Sequence, residues 1–599
     1  MVDPVVVCLS RSGEETAHRV AKILGAVVHG REGRVDRADA FFANALEHVR
    51  VLFASGTPVV GVCAAGILVR AVAPLVNDKK SEPPLLAVPD DGTTVIPLLG
   101  GHRGANRLAR KIAEGLSAHA AVTTAGDVAM GVALDEPTLG WRLANPKDAK
   151  AAMALMLSGG GVTVEGENIW GIDTVENGAV TLTTSDGPVE GSETRLVYHP
   201  QRFALGLGCA RGCDVDEMWA LVQKTLAENG IAAGAIACVG SLDLKGDEPA
   251  MIQTAARLGV PYRLFTAAEL ESETPRLATP SDVVFAEVGC HGVSEGAALA
   301  LGGAAGVLTV EKQKTANATC AVVRCDTPIT EFSGRARGKL SIIGIGPGQH
   351  SWRTPEASAL VAEAEELVGY GLYIDLLGAL AHGKERSDFP LGGEEDRCRY
   401  ALEQAGKGKN VALICSGDAG IYAMGALVFE LLDRGPDEMG VSDAAHRVEV
   451  VSTPGVSALQ GAAARAGAPL GHDFCAISLS DLLTPREDII KRLKAAAEGD
   501  FVIAFYNPVS LRRRTLLAEA RNILLQHRPA DTPVMLASSL GRPEENIRYR
   551  RLDELQVDEV DMLTTVLVGS SHTRLTHRGE GPRMFTPRGY ARKIDGDLS

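Results

Sequence analysis

Three short segments between residues 340 and 460 decide the fold of the C-terminal part of this chain. They are Leu-Ser-Ile-Ile-Gly-Ile-Gly-Pro-Gly at 340–348, Cys-Ser-Gly-Asp-Ala-Gly-Ile-Tyr at 415–422 and Thr-Pro-Gly-Val-Ser-Ala-Leu-Gln at 453–460. In each segment an apolar run enters a turn of small residues, and in α/β proteins such turns let a ligand approach the backbone closely. The segments therefore predict an α/β domain with a ligand site at the ends of its strands.

The first of these turns is not a dinucleotide fingerprint. Gly344 and Gly346 have the right spacing, but position 349 is Gln where that fingerprint has Gly. Pro347 also lacks the backbone N–H that a pyrophosphate would need. We therefore expect a ligand other than a dinucleotide.

Taken in this order, the three segments resemble the tetrapyrrole (porphyrin/corrin) S-adenosylmethionine-dependent methyltransferases, from about residue 339 to the C-terminus. That resemblance implies two α/β subdomains with the S-adenosylmethionine site in the cleft between them. Further segments are similar to precorrin-3B C17-methyltransferases, which methylate and ring-contract precorrin-3B to precorrin-4 in cobalamin (vitamin B12) biosynthesis. These segments are Gly471 to Pro485, Phe505-Tyr506-Asn507-Pro508, Leu567 to Ser571, and Tyr590.

The resemblance implies a set of residues that contact or wall the methyl donor S-adenosylmethionine. Asp418 is the sharpest of these assignments, and its alternative role is the capping of a turn after a strand. The whole set is Pro347, Ser416, Gly417, Asp418, Ile421, Ser457, Ala458, Asn507 and Gly541.

Ring contraction also needs a group that moves a proton at an oxygen on the neighbouring meso carbon. His472, Asp473 and Asp481 are the candidates, and the sequence does not separate them from each other or from structural roles. Diphthine synthases and ribosomal RNA ribose methyltransferases share the glycine-rich turn. The net charge of −15 and the segment from Gly471 to Pro485 count against both.

The N-terminal half resembles a second family, the cobalamin proteins that hydrolyse cobalt-precorrin-5A. These enzymes open a δ-lactone and release a two-carbon aldehyde, so the resemblance implies a bifunctional enzyme with a hydrolase. The turn Arg103-Gly104-Ala105-Asn106 departs from the family, whose members often carry a longer Gly-Gly-Ala-Asn turn. The matching segments are Cys63 to Arg70, Ala73 to Lys80, Gly100 to Asn106, Gly208-Cys209, Ser241 to Glu248, and Val293 to Ala298.

Lactone hydrolysis needs a base for water and a donor for the oxyanion. His102 is the catalytic candidate because it lies just before a helix, where backbone N–H groups face an anion. Lys79, Arg103, Lys245 and Glu248 are the substrate-binding candidates. Binding of substrate carboxylates is the alternative role for His102.

Two hypotheses about the route stay open at this stage. The methyltransferase segments resemble the oxygen-dependent route, whereas the lactone hydrolase belongs to the early-cobalt route. The N-terminal half is therefore either a hydrolase or a non-catalytic corrinoid carrier, and the methylated ring either lacks or already holds cobalt. An assay for the released aldehyde distinguishes a hydrolase from a carrier.

Length and pattern divide the 599 residues into segments. We expect an N-terminal α/β domain over 1–125, a connecting subdomain over 126–203, a second α/β domain over 204–325, a linker over 326–338 and the methyltransferase over 339–599. Within them we predict helices over 14–24 and 67–72, and a buried stripe at Leu108, Ile112 and Leu116. Thr354 should cap a helix that starts at Pro355 and whose apolar face runs from Ala357 to Val368.

Composition excludes several classes of protein. The acidic charge argues against a nucleic-acid partner, and no run of about eighteen apolar residues predicts a membrane span. The eleven cysteines are scattered without CxxC spacing, which indicates reduced thiols, a cytoplasmic protein and no metal site. The resemblance implies a homodimer that binds a carboxylate-rich tetrapyrrole and has transient contacts with other enzymes of the pathway. Local basic positions that could meet such a substrate are Lys79-Lys80, His102-Arg103 with Arg107, and Arg512 to Arg514.

Overall fold

The computed structural model describes residues 2–76, 82–124, 134–509 and 514–595. These residues form two compact units. The first unit comprises 1–340, 399–411 and 431–450, and the second comprises 341–398, 412–430 and 451–599. The multidomain α/β architecture predicted from the sequence is confirmed, because helices alternate with strands along the chain.

The N-terminal residues form a mostly parallel seven-stranded sheet in the order β3-β2-β1-β4-β5-β6-β7. The helix predicted over 14–24 is confirmed, and so is the apolar stripe, with Ile112 and Leu116 buried. The strands are β1 (Val5–Cys8), β2 (Val27–Arg31), β3 (Ala40–Phe42), β4 (Val59–Val62), β5 (Leu85–Val88), β6 (Thr94–Leu99) and β7 (His119–Ala120). The helices are α1 (Glu14–Leu24), α2 (Ala45–Ala54), α3 (Ala65–Val72) and α4 (Ala105–Leu116).

The weakly patterned segment after it contains a small sheet of its own, in the order β8-β11-β10-β9. Its core includes Leu182, Leu196 and Tyr198, whose hydroxyl donates to the carbonyl of Leu134 at 2.7 Å. The strands are β8 (Trp141–Leu143), β9 (Val162–Glu165), β10 (Val180–Thr184) and β11 (Arg195–Pro200), with helix α5 (Ala149–Leu157).

A six-stranded sheet follows, in the order β15-β16-β12-β13-β14-β17. Its strands are β12 (Phe203–Cys209), β13 (Ile236–Leu242), β14 (Tyr262–Phe265), β15 (Val307–Lys314), β16 (Ala318–Arg324) and β17 (Arg335–Ala336). β17 lies in the segment expected to be a linker, and it pairs antiparallel with β14. The helices are α6 (Val215–Glu228), α7 (Pro249–Leu258), α8 (Ala267–Glu271), α9 (Asp282–Val288) and α10 (Val293–Gly302).

The sheet that carries the first quoted segments has the order β20-β19-β21-β18-β22. Its strands are β18 (Lys339–Gly344), β19 (Glu366–Tyr370), β20 (Glu385–Phe389), β21 (Asn410–Cys415) and β22 (Glu449–Thr453). Its helices are α11 (Pro355–Glu363), α12 (Gly371–Asp375), α13 (Glu394–Gly406), α14 (Gly425–Asp433), α15 (Asp443–His446) and α16 (Ala458–Ala466).

The start of α11 was predicted correctly and its end was not. The side chain of Thr354 caps α11 and Pro355 is its first residue. The predicted apolar face is wrong beyond Glu363, because Ala364 is extended and Leu367 and Val368 lie in β19. Both of these side chains are fully buried. A strand buried on both faces has a continuous apolar run, which periodicity alone cannot separate from a helix.

The C-terminal residues form a five-stranded sheet, β24-β25-β28-β26-β27, and a three-stranded sheet, β23-β30-β29. The strands are β23 (Gly467–Ala468), β24 (Phe474–Ser478), β25 (Val502–Tyr506), β26 (Pro533–Ser538), β27 (Asn546–Arg551), β28 (Thr564–Val568), β29 (Arg574–Arg578) and β30 (Gly581–Phe585). The helices are α17 (Arg486–Glu498), α18 (Thr515–Leu524) and α19 (Ala591–Ile594).

Two whole-chain features bear on the class of the protein. All eleven cysteines are free, in agreement with the reduced thiols that their spacing predicts. Within the described ranges, no helix has both the length and the apolar content that a membrane crossing requires.

Candidate functional site

Two of the quoted turns meet at one edge of the sheet that contains β18 and β21. Gly346 and Gly417 exchange backbone hydrogen bonds of 3.1 and 2.9 Å, and Ile345 donates to the carbonyl of Cys415 at 3.0 Å. Both glycines have positive φ, 78° and 72°, a conformation that other residues adopt only with strain. The first turn (345–348) and the second turn (416–418) are thereby held side by side.

The third turn (453–457) packs against the other two through glycine backbone. A Cβ on Gly455 would collide with the carbonyl oxygen of Gly417 and lie 2.9 Å from the carbonyl carbon of Gly344. Asp418 joins the second and third turns, since one carboxylate oxygen accepts from Gly420 N–H at 2.8 Å and the other from Gly455 N–H at 3.0 Å. Asp418 therefore has the turn-holding role that was its alternative assignment.

The start of α16 leaves a small space beside the second turn. Ser457 caps this helix, because its hydroxyl accepts from Gln460 N–H at 3.3 Å while the Gln460 side chain accepts from Ser457 N–H at 2.8 Å. The missing Cβ of Gly417 would face Ser457 and Ala458, with the nearest backbone atoms 3.8 and 3.9 Å away. A Cβ at Gly417 would fit there in ordinary van der Waals contact, so the positive φ of 72° and not crowding is what favours glycine at this position.

Two loops of the next subdomain complete this edge. Gly348 approaches Gly541, because a Cβ on Gly348 would lie 2.8 Å from the Gly541 carbonyl. Asn507 follows β25 with a positive φ of 48°, and its amide donates to the Ser478 hydroxyl at 3.3 Å. These contacts place Gly541 against the first turn and Asn507 beside the end of β24.

Two tyrosines at this edge were not assigned a role from the sequence. The hydroxyl of Tyr506 accepts from Leu459 N–H at 2.9 Å, which ties β25 to α16. Tyr422 has a positive φ of 52°, is about half exposed and packs against Tyr506 with ring centroids 5.2 Å apart. It follows Ile421, an expected donor contact that is partly exposed. The signal was present, because both tyrosines lie inside quoted segments.

The candidates for proton movement lie at two different ends of β24. His472 and Asp473 directly precede this strand and contact each other, with Asp473 N–H donating to His472 Nδ1 at 2.9 Å. Asp481 follows the strand, at the end where Ser478 meets Asn507, and lies 3.8 Å from Arg486. β24 has five residues, so roughly 15 Å separates its ends. The structure therefore places His472 and Asp473 at the opposite end of β24 from Asp481.

In the N-terminal half, side chains hold the loops that follow β12 and β13. Arg211 donates to Asp247 at 2.7 Å and to the Leu244 carbonyl at 2.7 Å. Glu248 is fully buried, and one of its oxygens accepts from Gly212 N–H at 3.0 Å while the other lies 3.4 Å from Arg211. Sequence reasoning assigned no role to Arg211, although its position directly after an apolar strand was a usable signal.

Lys245 and Cys209 lie beside this cluster. Among the described residues, the Lys245 ammonium has no hydrogen-bond or ion-pair partner, and it lowers the pKa of the Cys209 thiol. Burial outweighs that effect and raises the pKa of Cys209 to about 12. The thiol is therefore protonated at neutral pH, which argues against a nucleophilic role for Cys209.

The other expected hydrolase residues belong to the N-terminal sheet. Arg103 is exposed on a 3₁₀ helix, Gly101–Arg103, directly before α4. Its turn packs on the start of β5, because a Cβ on Gly100 would lie 2.6 Å from the Pro83 carbonyl. Lys79 lies outside the described residues, and so does the side chain of His102.

Known families match three stretches of the chain. The family described as Tetrapyrrole (Corrin/Porphyrin) Methylases matches residues 339–556. Those described as Cobalamin synthesis G N-terminal and Cobalamin synthesis G C-terminus match residues 47–127 and 203–323. The N-terminal matches confirm the second resemblance found in the sequence.

Individual relatives match the C-terminal part. The Precorrin-3B C(17)-methyltransferase of Sinorhizobium sp is 45% identical over 255 residues, which are 42% of this chain and 98% of that protein. This chain belongs to the tetrapyrrole methylase family. The Cobalt-factor III methyltransferase of Priestia megaterium is 44% identical over 43% of this chain and 46% of its own length. The crystal structure of the methyltransferase CobJ covers 42% of this chain and 100% of its own, with 38% identity and a TM-score of 0.39.

The tetrapyrrole methylase match contains every residue expected to contact the methyl donor. It begins at the first residue of β18 and ends before β28. The same range also contains both tyrosines and the three proton-movement candidates. The edge formed by the three turns therefore lies in the tetrapyrrole methylase part of the molecule.

Proposed function

We propose that residues 339–599 transfer a methyl group from S-adenosylmethionine to C17 of precorrin-3B and contract the ring to precorrin-4 in cobalamin biosynthesis. When bound, S-adenosylmethionine supplies an electrophilic methyl group on a sulfonium. The protein has to align this methyl with the ring carbon and exclude water. The observation that carries the proposal is the packing of three glycine turns at one sheet edge, in a tetrapyrrole methylase.

The donor contacts we propose are those named from the sequence. They lie in the three turns, just after the second turn, at the start of α16, or in the two neighbouring loops. They are Pro347, Ser416 to Asp418, Ile421, Ser457, Ala458, Asn507 and Gly541. Backbone groups there suit a ligand that carries an amino acid, a ribose and an adenine, and whose net charge is not strongly negative. Asp418 would offer its carboxylate while holding Gly455, so its ligand role and its structural role coexist.

Asp481 is the residue we propose for proton movement during ring contraction. It follows β24 at the end where Asn507 lies, whereas His472 and Asp473 precede the same strand. Asp481→Asn should therefore lower the rate of ring contraction and have a smaller effect on the affinity for S-adenosylmethionine. Asp473→Asn is the matched control, because it changes the same type of side chain at the other end.

A cobalt-containing ring is the alternative substrate. The two relatives named above have nearly equal identity, and their names specify a metal-free and a cobalt-containing tetrapyrrole. A single-turnover reaction with each form decides between them, with the product identified by mass and absorption spectrum. Absence of methyl transfer to either form, in protein that binds S-adenosylmethionine, would contradict the proposal.

We also propose that the N-terminal half opens the lactone of cobalt-precorrin-5A. The two matches to cobalamin synthesis G domains support this assignment. Lys245, which has no ion-pair partner among the residues that the structure describes, offers a cation for a substrate carboxylate or oxyanion. His102 remains the proposed catalytic group, with Lys79 and Arg103 as proposed substrate contacts. A corrinoid carrier is the competing proposal.

Release of acetaldehyde tests the hydrolase proposal on the intact chain. His102→Ala should cut the release by about 10²-fold and leave C17 methylation unchanged, because the methylase residues lie in other domains. Wild-type protein that methylates its substrate and binds the lactone, yet releases no aldehyde, would favour the carrier.

A further inference from the structure

A third strand ends at the same sheet edge as the first and second turns. Gly369 in β19 faces Ile414 in β21, since a Cβ on Gly369 would lie 3.3 Å from the Ile414 Cβ. β19 therefore ends beside the end of β21, and the chain continues directly into α12, which carries Tyr373. The turns predicted from the sequence follow β18, β21 and β22, and no site residue was predicted at the end of β19.

Two arginines approach this third strand end without a counter-ion. Arg397 is buried, and within the described ranges its guanidinium has hydrogen bonds to the Met424 sulfur at 3.2 Å and to the Pro390 carbonyl at 2.9 Å and to no other group. Arg542 is partly exposed, and its Nε donates to the Pro347 carbonyl at 3.3 Å. Among the described residues, neither guanidinium has a carboxylate within 4 Å. Both positive charges are thus uncompensated beside the first and second turns.

Tyr373 lies in the field of both arginines. Its hydroxyl has no hydrogen-bond partner among the residues that the structure describes, although the side chain is half-buried against Tyr370. Burial raises the pKa of the phenol, and the guanidinium groups of Arg542 and Arg397 act in the opposite direction. A hydroxyl without a partner, next to two cations without anions, is an unfilled hydrogen-bonding site for an anion.

We propose that Tyr373 and Arg542 bind one peripheral carboxylate of the tetrapyrrole, and that Arg397 is a positioning residue that supplies positive charge behind them. The inference rests on the proposed function and adds the group that orients the ring. S-adenosylmethionine has one carboxylate, but its sulfonium and ammonium leave it with a net positive charge at neutral pH, so the two arginines would attract it less than they attract a polyanion. A tetrapyrrole that carries many carboxylates has the complementary charge.

Tyr373→Phe and Arg542→Gln are the informative variants. Each should raise the KM for the tetrapyrrole about 10-fold or more, because a hydrogen bond to a charged group is lost, and should leave kcat within a few-fold. The Kd for S-adenosylmethionine, measured by calorimetry, should not change in Tyr373→Phe. Arg542→Lys should restore part of the KM, and Arg434→Gln, at an exposed arginine, is the matched control.

Binding of uroporphyrin III, a carboxylate-rich tetrapyrrole, tests the site without turnover. Fluorescence titration should show affinity that falls with added salt in the wild type and falls less in Arg397→Met, which removes the buried charge. Unchanged KM and unchanged uroporphyrin affinity in Tyr373→Phe and Arg542→Gln would overturn the inference, as would an equal loss of donor affinity. A different outcome would refute the proposed function instead. In it, the wild type binds uroporphyrin and the variants bind it more weakly, as expected, but the wild type transfers no methyl group.

Discussion

The methylase part and residues 204–325 both place loops at the ends of parallel strands, but they hold those loops in different ways. In the methylase part, glycine backbone packs on glycine backbone at Gly344, Gly417 and Gly455. In residues 204–325, the charged side chains of Arg211 and Glu248 hold the loops after β12 and β13.

The difference indicates which kind of ligand each edge suits. Turns made of glycine present backbone amides and carbonyls that no side chain covers. Such groups suit a donor whose amino acid, ribose and adenine can all form hydrogen bonds with backbone. An edge built from side chains has a fixed charge pattern, here a buried carboxylate at Glu248 and a Lys245 ammonium that no described side chain pairs with. Such an edge fits recognition of a charged group on a substrate.

The largest expected effect tests the backbone packing. Gly455→Ala would drive a Cβ into the Gly417 carbonyl, so we expect a loss of about 3 kcal/mol of unfolding free energy and loss of donor binding. Calorimetry measures both quantities. Gly435→Ala is the control, because nothing lies within 4 Å of its added Cβ. Normal donor affinity in Gly455→Ala would show that the turns need not pack this closely.

A smaller effect tests the side-chain edge. Glu248→Ala removes the acceptor of Gly212 N–H and the carboxylate nearest Arg211, so we expect a local loss of about 2 kcal/mol. Hydrogen exchange at the Gly212 amide should then be about 30-fold faster, while donor affinity stays unchanged. Glu228→Ala, at an exposed position of α6, should leave that exchange rate unaltered. Equal protection of Gly212 in both variants would contradict this account.

The ion pair between Arg465 and Glu545 supports the backbone turns of the methylase edge, and its removal should have a smaller effect than the two changes above. Burial raises the pKa of Glu545, but the hydrogen bonds that its carboxylate accepts from Arg465 and from Gly541 N–H lower the pKa by more. The net pKa of Glu545 therefore lies below its usual value. The ionised form therefore stabilises the fold above the unfolded pKa of about 4.3, and this stabilisation is lost as the pH falls through the folded pKa.

Glu545→Gln should accordingly cost about 1 kcal/mol at pH 7, where the carboxylate is ionised in both states. The difference from wild type should shrink below about pH 4. Urea unfolding at several pH values measures it, with Glu498→Gln, at an exposed position, as the control. A difference that is the same at pH 3 and pH 7 would exclude an electrostatic origin.

Local features of this chain were predictable because they depend on neighbours in sequence. Thr354 and Pro355 start α11 as predicted, and Gly346 and Gly417 in the quoted turns adopt the positive φ that glycine permits. The error at Leu367 and Val368 has the same origin, since an apolar run does not reveal whether its burial is on one face of a helix or both faces of a strand.

The family, the two kinds of domain and the segments that form the methylase edge could be predicted from the order of residues alone. The tertiary structure was needed to show that Asn507 meets Ser478 at the end of β24 that leads to Asp481, and not at the end next to His472, because β24 pairs in parallel with β25. It also decided that Tyr373, Arg397 and Arg542 lie near one another. Their proximity depends on strand order and on loops distant in the chain, and such long-range packing leaves no pattern in the spacing of residues.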